Sequence, residues 1–201
     1  MNIFQVEVDG RPRDAELRFG TERDAESLAR WRFPKDVVGT EATLDALEYA
    51  RLASKRWRYY RITGATVASL AELRDKVQHN PKAEVAMIFV ARPTWRSPTP
   101  LLGFAYFRRT WCHHLVVDFL SAHPRVIAEK PERIRGIGTG ILYQLVALSE
   151  EIEIPCIWGE ATAYSAPFYE RALNVEQILD HFFIEDEVMR YCRNQLNQRR
   201  K

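Results

Sequence analysis

The sequence predicts one mixed α/β domain, and three observations carry that reading. Short apolar runs of strand length alternate with segments of helical spacing, no repeat or low-complexity linker divides the chain, and 201 residues is the size of an ordinary domain. Composition agrees, since 46% hydrophobic and 28% charged residues fall in the globular range, away from disordered, collagen-like and membrane proteins. Lys plus Arg number 29 against 27 acidic residues, so the formal charge of +2 gives no global reason to expect a nucleic acid or an anionic membrane as partner. Cys112, Cys156 and Cys192 lie far apart without CxxC spacing, which suggests neither a disulfide framework nor a zinc site. No uncharged apolar run approaches the roughly 20 residues of a spanning helix, and the N-terminal stretch is too charged for a signal peptide. A cytoplasmic protein is the expectation.

Ile3 to Val8 alternates in polarity before the turn residues Asp9-Gly10, which predicts a strand, and Ala15 to Phe19 predicts a second. Thr21, with Asp24 three residues on, caps a helix that carries Leu28 and Trp31 and ends before Pro34. Leu44, Leu47 and Ala50 predict another helix over about Thr40 to Ser54. The aromatic and basic cluster Lys55 to Arg61 then reads as a strand with alternating exposure, in preference to a nucleic-acid surface. Ser69 to His79 has helical spacing. Val85 to Ala91, Leu101 to Trp111 and His114 to Leu120 predict three strands, with a Pro-rich loop at 93–100 between the first two. Cys112 and Cys156 then fall in apolar strand surroundings as buried thiols. A helix begins after Gly136-Ile137-Gly138-Thr139-Gly140, followed by a strand at Cys156 to Ala161, a short helix at Ala166 to Leu173, a strand at Ile178 to Ile184 and a terminal helix from Glu187 to Gln198. The basic end Asn194 to Lys201 suits the negative end of that helix.

Three glycines in five residues at a helix start let backbone N–H groups converge on a phosphate. The Walker pattern fails, because Ile141-Leu142 follows the last glycine where Lys-Ser/Thr is needed. The dinucleotide fingerprint also fails, because the glycines are spaced two apart and follow a long charged loop.

The segment resembles the acyl-CoA site of the GNAT superfamily of N-acetyltransferases. Its signature, Arg/Gln-x-x-Gly-x-Gly/Ala, is similar to Arg133-Ile134-Arg135-Gly136-Ile137-Gly138. Leu120-Ser121-Ala122-His123-Pro124 resembles the end of the family's fourth strand, Ile157 to Ala161 its fifth, and Ala166-Pro167-Phe168-Tyr169-Glu170-Arg171-Ala172-Leu173 its Phe-Tyr helix. The loop 124–133 is longer than the family usually has, Ser165 stands where Asn is common, and Leu173 stands where Gly is common.

The resemblance implies an acyl-CoA N-acyltransferase fold, with a central mixed, mostly antiparallel sheet flanked by helices. Residues 1–83 would form the acceptor side, 84–173 the acyl-CoA core and 174–201 a closing strand and helix. It implies acetyl-CoA as cosubstrate, its pyrophosphate on the N–H groups of Gly136, Gly138, Thr139 and Gly140 with Arg133 or Arg135 adding charge. The pantetheine arm would pair with the backbone near Leu120 and Ala122. Tyr169 would be the acid for the departing thiolate. The base stays open among Asp118, His114 and Glu160, because Val116 occupies the position of the family's carboxylate. The activity implied is direct acetyl transfer to a primary amine, with no metal. The expected partners are acetyl-CoA and an amine acceptor, with no membrane, nucleic acid disfavoured and a homodimer compatible with the family. Two other readings stand beside it: a catalytically silent GNAT-fold module that binds acyl-CoA or a protein, and an RNA-directed acetyltransferase.

Overall fold

The apolar run Val85 to Ala91 has no polar residue to turn toward water. In the computed structural model, which describes residues 2–36 and 39–198, it becomes a central strand buried on both faces. Val85, Met87, Phe89 and Ala91 join one helical layer, while Ala86, Ile88 and Val90 join the other. Each large side chain buried this way contributes about 1.5–3 kcal/mol.

The strands are β1 (Asn2–Val8), β2 (Arg11–Phe19), β3 (Val85–Pro93), β4 (Gly103–Arg109), β5 (Leu115–Ala122), β6 (Ile134–Arg135), β7 (Ile157–Glu160) and β8 (His181–Ile184). They form one sheet in the order β6-β1-β2-β3-β4-β5-β7-β8. Neighbours are antiparallel except β5 and β7, which run parallel. Helices α1 (Glu22–Ala29) and α2 (Glu41–Ile62) cover one face. The other face is covered by α3 (Leu70–His79), α5 (Ile137–Glu151), α6 (Ala166–Leu173) and α7 (Asp186–Gln198), and α4 (Pro124–Ile127) is a single turn after β5. No described helix is long and apolar enough to cross a membrane.

The strand expected over Lys55 to Arg61 is instead the last part of α2. Ala46, Ala50, Ala53 and Trp57 recur every three or four residues and are buried against the sheet, so Trp57 continues an alanine stripe and tertiary packing overrides its β propensity. Lys55, Arg56, Arg58, Tyr59 and Arg61 face outward. Cys112 is exposed in the turn before β5, contrary to its expected burial, while Cys156 and Cys192 are buried. Burial pushes the Cys156 thiol up to about 11 and the Cys192 thiol up to about 12. The long loop after β5 holds α4 and β6, neither visible in the sequence pattern, and β6 pairs with β1. Helix α6 ends on Asn174 in the left-handed conformation, one residue beyond Leu173, so Asn takes the turn that Gly commonly makes. Of the basic C-terminal end, Arg199, Arg200 and Lys201 lie outside the described residues.

Candidate active site

Strands β5 and β7 pair only from Leu115 opposite Ile157 to Val117 opposite Gly159. Beyond that point they part: β7 ends at Glu160, while β5 runs on to Ala122 along β4 alone. At the parting, Asp118 is an extra residue in β5, since Val117 pairs with Phe107 and Phe119 with Tyr106. This bulge flips the side-chain alternation of the strand, so Leu120 and Ala122 follow Val117 onto the α5 face and Phe119 faces α2.

The gap is a cleft of about 520 Å³. One wall is Leu120, Ser121 and Ala122, and a second is the start of α5 with Arg135, Gly136 and Gly138. Phe168 and Tyr169 of α6 form a third, and Asp45, Ala46 and Tyr49 of α2 close the fourth. Gly136 caps α5 at φ 89°, a left-handed conformation that glycine adopts without strain. The N–H groups of Ile137, Gly138 and Thr139 then lack partners within the helix, as at any helix start, and add to the positive end of its dipole. Gly140 differs: its N–H donates to the Gly136 carbonyl at 2.9 Å, and a Cβ on it would meet Phe4 at 2.1 Å. Gly140 is a packing glycine between α5 and β1, and Ile137 takes its place among the free donors.

Tyr169 is buried, with its ring stacked on Phe182 at 4.0 Å between centroids. Burial, with the nearby Tyr49 as a lesser cause, raises its hydroxyl well above the ordinary phenol value, so it stays protonated as a donor.

The other acid-base candidates lie elsewhere. Asp118 faces α2 and accepts from Arg108 Nε at 2.7 Å and Nη2 at 3.0 Å, with Arg56 as a second cation. Arg108 also donates to Glu84 at 2.6 Å, and the Tyr60 hydroxyl donates to the same carboxylate. Two cations against its oxygens hold Asp118 in a structural ion pair. His114 precedes β5 and is separated from Leu120 by about 20 Å of extended chain. Glu160 ends β7, exposed and opposite His181. Arg133 and Arg135 are both exposed and both pair with Glu129, and of the two only Arg135 lines the cleft. Asp45, Tyr49 and Tyr164, all in the cleft, were not singled out from the sequence. Asp45 and Tyr49 are one helical turn apart, a spacing that presents them on one face of α2. Among the described residues no group of His, Cys, Asp and Glu is arranged to hold a metal.

By sequence, no protein-family model matches the chain, and neither does any curated protein. By structure, it aligns over 85% of its length with 98% of a GNAT-family acetyltransferase structure from Desulfovibrio desulfuricans, at TM-score 0.51 and 15% identity. The chain has the GNAT fold. A Brucella melitensis GNAT acetyltransferase in complex with acetyl-CoA aligns at TM-score 0.49 and 13% identity, covering 84% of this chain and 86% of that one. A streptothricin acetyltransferase from Bacillus anthracis, also with acetyl-CoA, aligns at TM-score 0.38 and 16% identity over 51% of this chain and 63% of its own. That fold agrees with the mixed, mostly antiparallel sheet flanked by helices.

Proposed function

We propose that the protein is an acetyl-CoA-dependent N-acetyltransferase that passes an acetyl group to a primary amine by direct attack. One observation carries the reading: the parted strands β5 and β7 open a cleft that a helix start with free N–H groups and a buried, protonated tyrosine enter from different walls. The fit to a CoA thioester follows from the donors present. Ile137, Gly138 and Thr139 offer backbone N–H groups to a pyrophosphate, with Arg135 beside them. Gly138 leaves the approach open, since a Cβ there would already lie 3.1 Å from the Phe168 ring. Leu120 and Ala122 offer strand backbone without a partner in β7, which suits the amides of a pantetheine arm. When bound, the cosubstrate supplies an activated acyl carbon.

As the N–C bond forms and the C–S bond breaks, Tyr169 donates its proton to the departing sulfur, and the amine proton passes to solvent in the cleft. Asp118, held by two arginines, positions the β5 bulge. Asp45, half-buried on the α2 wall, is a carboxylate that a cationic acceptor meets. The tie on Asp118 also favours a silent acyl-CoA-binding module as a second reading.

Calorimetry with acetyl-CoA on the wild type and on Gly138→Glu, which sets a carboxylate among the free N–H groups, tests the site. Micromolar binding that the variant loses supports it; a wild type that does not bind ends it. A panel of amines then separates enzyme from module, and Tyr169→Phe is expected to lower kcat about 10²-fold or more with acetyl-CoA binding unchanged.

A further inference from the structure

Arg109, the last residue of β4, is one of the largest fully buried side chains, only 2% exposed. Its Nη1 donates to the Ala83 carbonyl at 2.8 Å and its Nη2 to His113 Nδ1 at 2.9 Å, while Nε has no partner. His113 in turn donates from Nε2 to the Glu153 carbonyl at 3.1 Å, so its ring is a neutral acceptor toward Arg109 and offers no negative charge. Among the described residues no carboxylate pairs with Arg109. Desolvation accordingly pulls the guanidinium below its ordinary pKa, with the Cys112 sulfur as the opposing influence.

A buried cation without a counter-charge is among the costlier arrangements in a protein. Here it lines a cavity of about 230 Å³ between α3, the end of α5 and the turn before β5. Arg74 and Gln78 of α3 stand at the same cavity, both exposed and both donors. Glu151 and Glu153 share the rim, and Arg74 engages Glu151 through its carbonyl at 3.1 Å and its carboxylate at 3.6 Å. The volume admits a small oxyanion and excludes anything of nucleotide size. The length of α5 sets the cavity about 20 Å from the Gly136 end of the catalytic cleft.

We propose that this cavity is a second ligand site, which takes a small oxyanion, a phosphate or a carboxylate, with Arg109 as the fixed counter-charge and Arg74 as the mobile one. Binding there supplies Arg109 with the counter-charge that Glu151 and Glu153 on the rim, neither of them bonded to it, do not provide, at the end of α5 remote from the CoA cradle.

The test is thermal unfolding of the whole chain at constant ionic strength, titrated separately with inorganic phosphate and with acetate over about 1 to 50 mM, a range suited to the weak binding of small ions. The wild-type Tm is expected to climb with the logarithm of one or both anions, as mass action requires, and the arm that responds identifies phosphate or carboxylate as the source. Arg109→Met should lose the response, and Arg74→Glu, a surface change that keeps the proposal testable should Arg109→Met not fold, should weaken it at least tenfold in apparent Kd. A wild-type Tm indifferent to both anions overturns the proposal. So does a response that survives both variants, because it would then belong to the glycine loop or to the surface at large.

Discussion

Asp118 shows how a residue's neighbours decide its role. An aspartate in an apolar strand must find partners or be costly, and this one finds Arg108 and Arg56. Asp118→Asn should leave half-exposed Arg56 without its carboxylate and Arg108 with Glu84 alone, and lower stability by about 1–3 kcal/mol in urea unfolding. Unchanged stability would show that the ion pair is idle and would return Asp118 to the list of bases. His123 is the second residue whose surroundings set its chemistry. Its ring lies 4.7 Å from the Trp31 ring, its Nδ1 accepts the Arg125 N–H that starts α4, and burial followed by the Arg125 charge pulls its pKa down to about 4. The folded state therefore excludes the proton that the unfolded chain takes up near pH 6.5. Stability from this group is complete above pH 6.5, falls by about 3 kcal/mol as pH drops to 4, and levels off below that. Urea unfolding across that range, compared with His123→Asn, should show the decline in the wild type and its loss in the variant.

At the scale of elements, the two glycines of α5 differ in what they border: Gly138 lines the cleft and Gly140 packs on β1. Gly140→Ala should destabilise by about 1–3 kcal/mol, because the added methyl meets the Phe4 ring of β1, whereas Gly138 borders the open cleft. Chemical denaturation distinguishes them, and wild-type stability in Gly140→Ala would mean that β1 moves aside freely. Both glycines were legible as a phosphate-binding pattern, but their division of labour was not, since it depends on Phe4, more than 130 residues away in the chain. The helix character of 55–61 was hidden for a related reason. Trp57, Tyr59 and Tyr60 favour strands taken alone, and only the alanine stripe that packs α2 on the sheet outweighs them. The elements with strong local patterns, α1, α3, α5, β3 and β7, are found where periodicity placed them.

At the scale of the molecule, the cleft joins distant parts of the chain. Its walls come from α2, from the end of β5, from the start of α5 and from α6. A fragment comprising 84–201 would lose α2 and expose Ala86, Ile88, Val90, Phe104 and Tyr106, all buried beneath the α1–α2 layer. Such a fragment should fail to fold, and near-ultraviolet circular dichroism without tertiary signal is the expected result. A fragment with native spectra would mark the first 83 residues as a separable layer.

What the sequence made readable rests on residues near in the chain: the alternation of strand and helix, the glycine-rich helix start and the Phe-Tyr pair of α6. Those features carry the GNAT resemblance because a helix terminus and a strand period are local properties of the backbone. Tertiary structure alone decided which strands part, that Asp118 forms a bulge and is tied to Arg56 across the α2 interface, that Asp45 and Tyr49 line one cleft with Tyr169, and that Arg109 is buried without a counter-charge. Each of these brings together groups far apart in sequence, and their energies depend on burial and on which charges meet, quantities that exist only once the chain is packed.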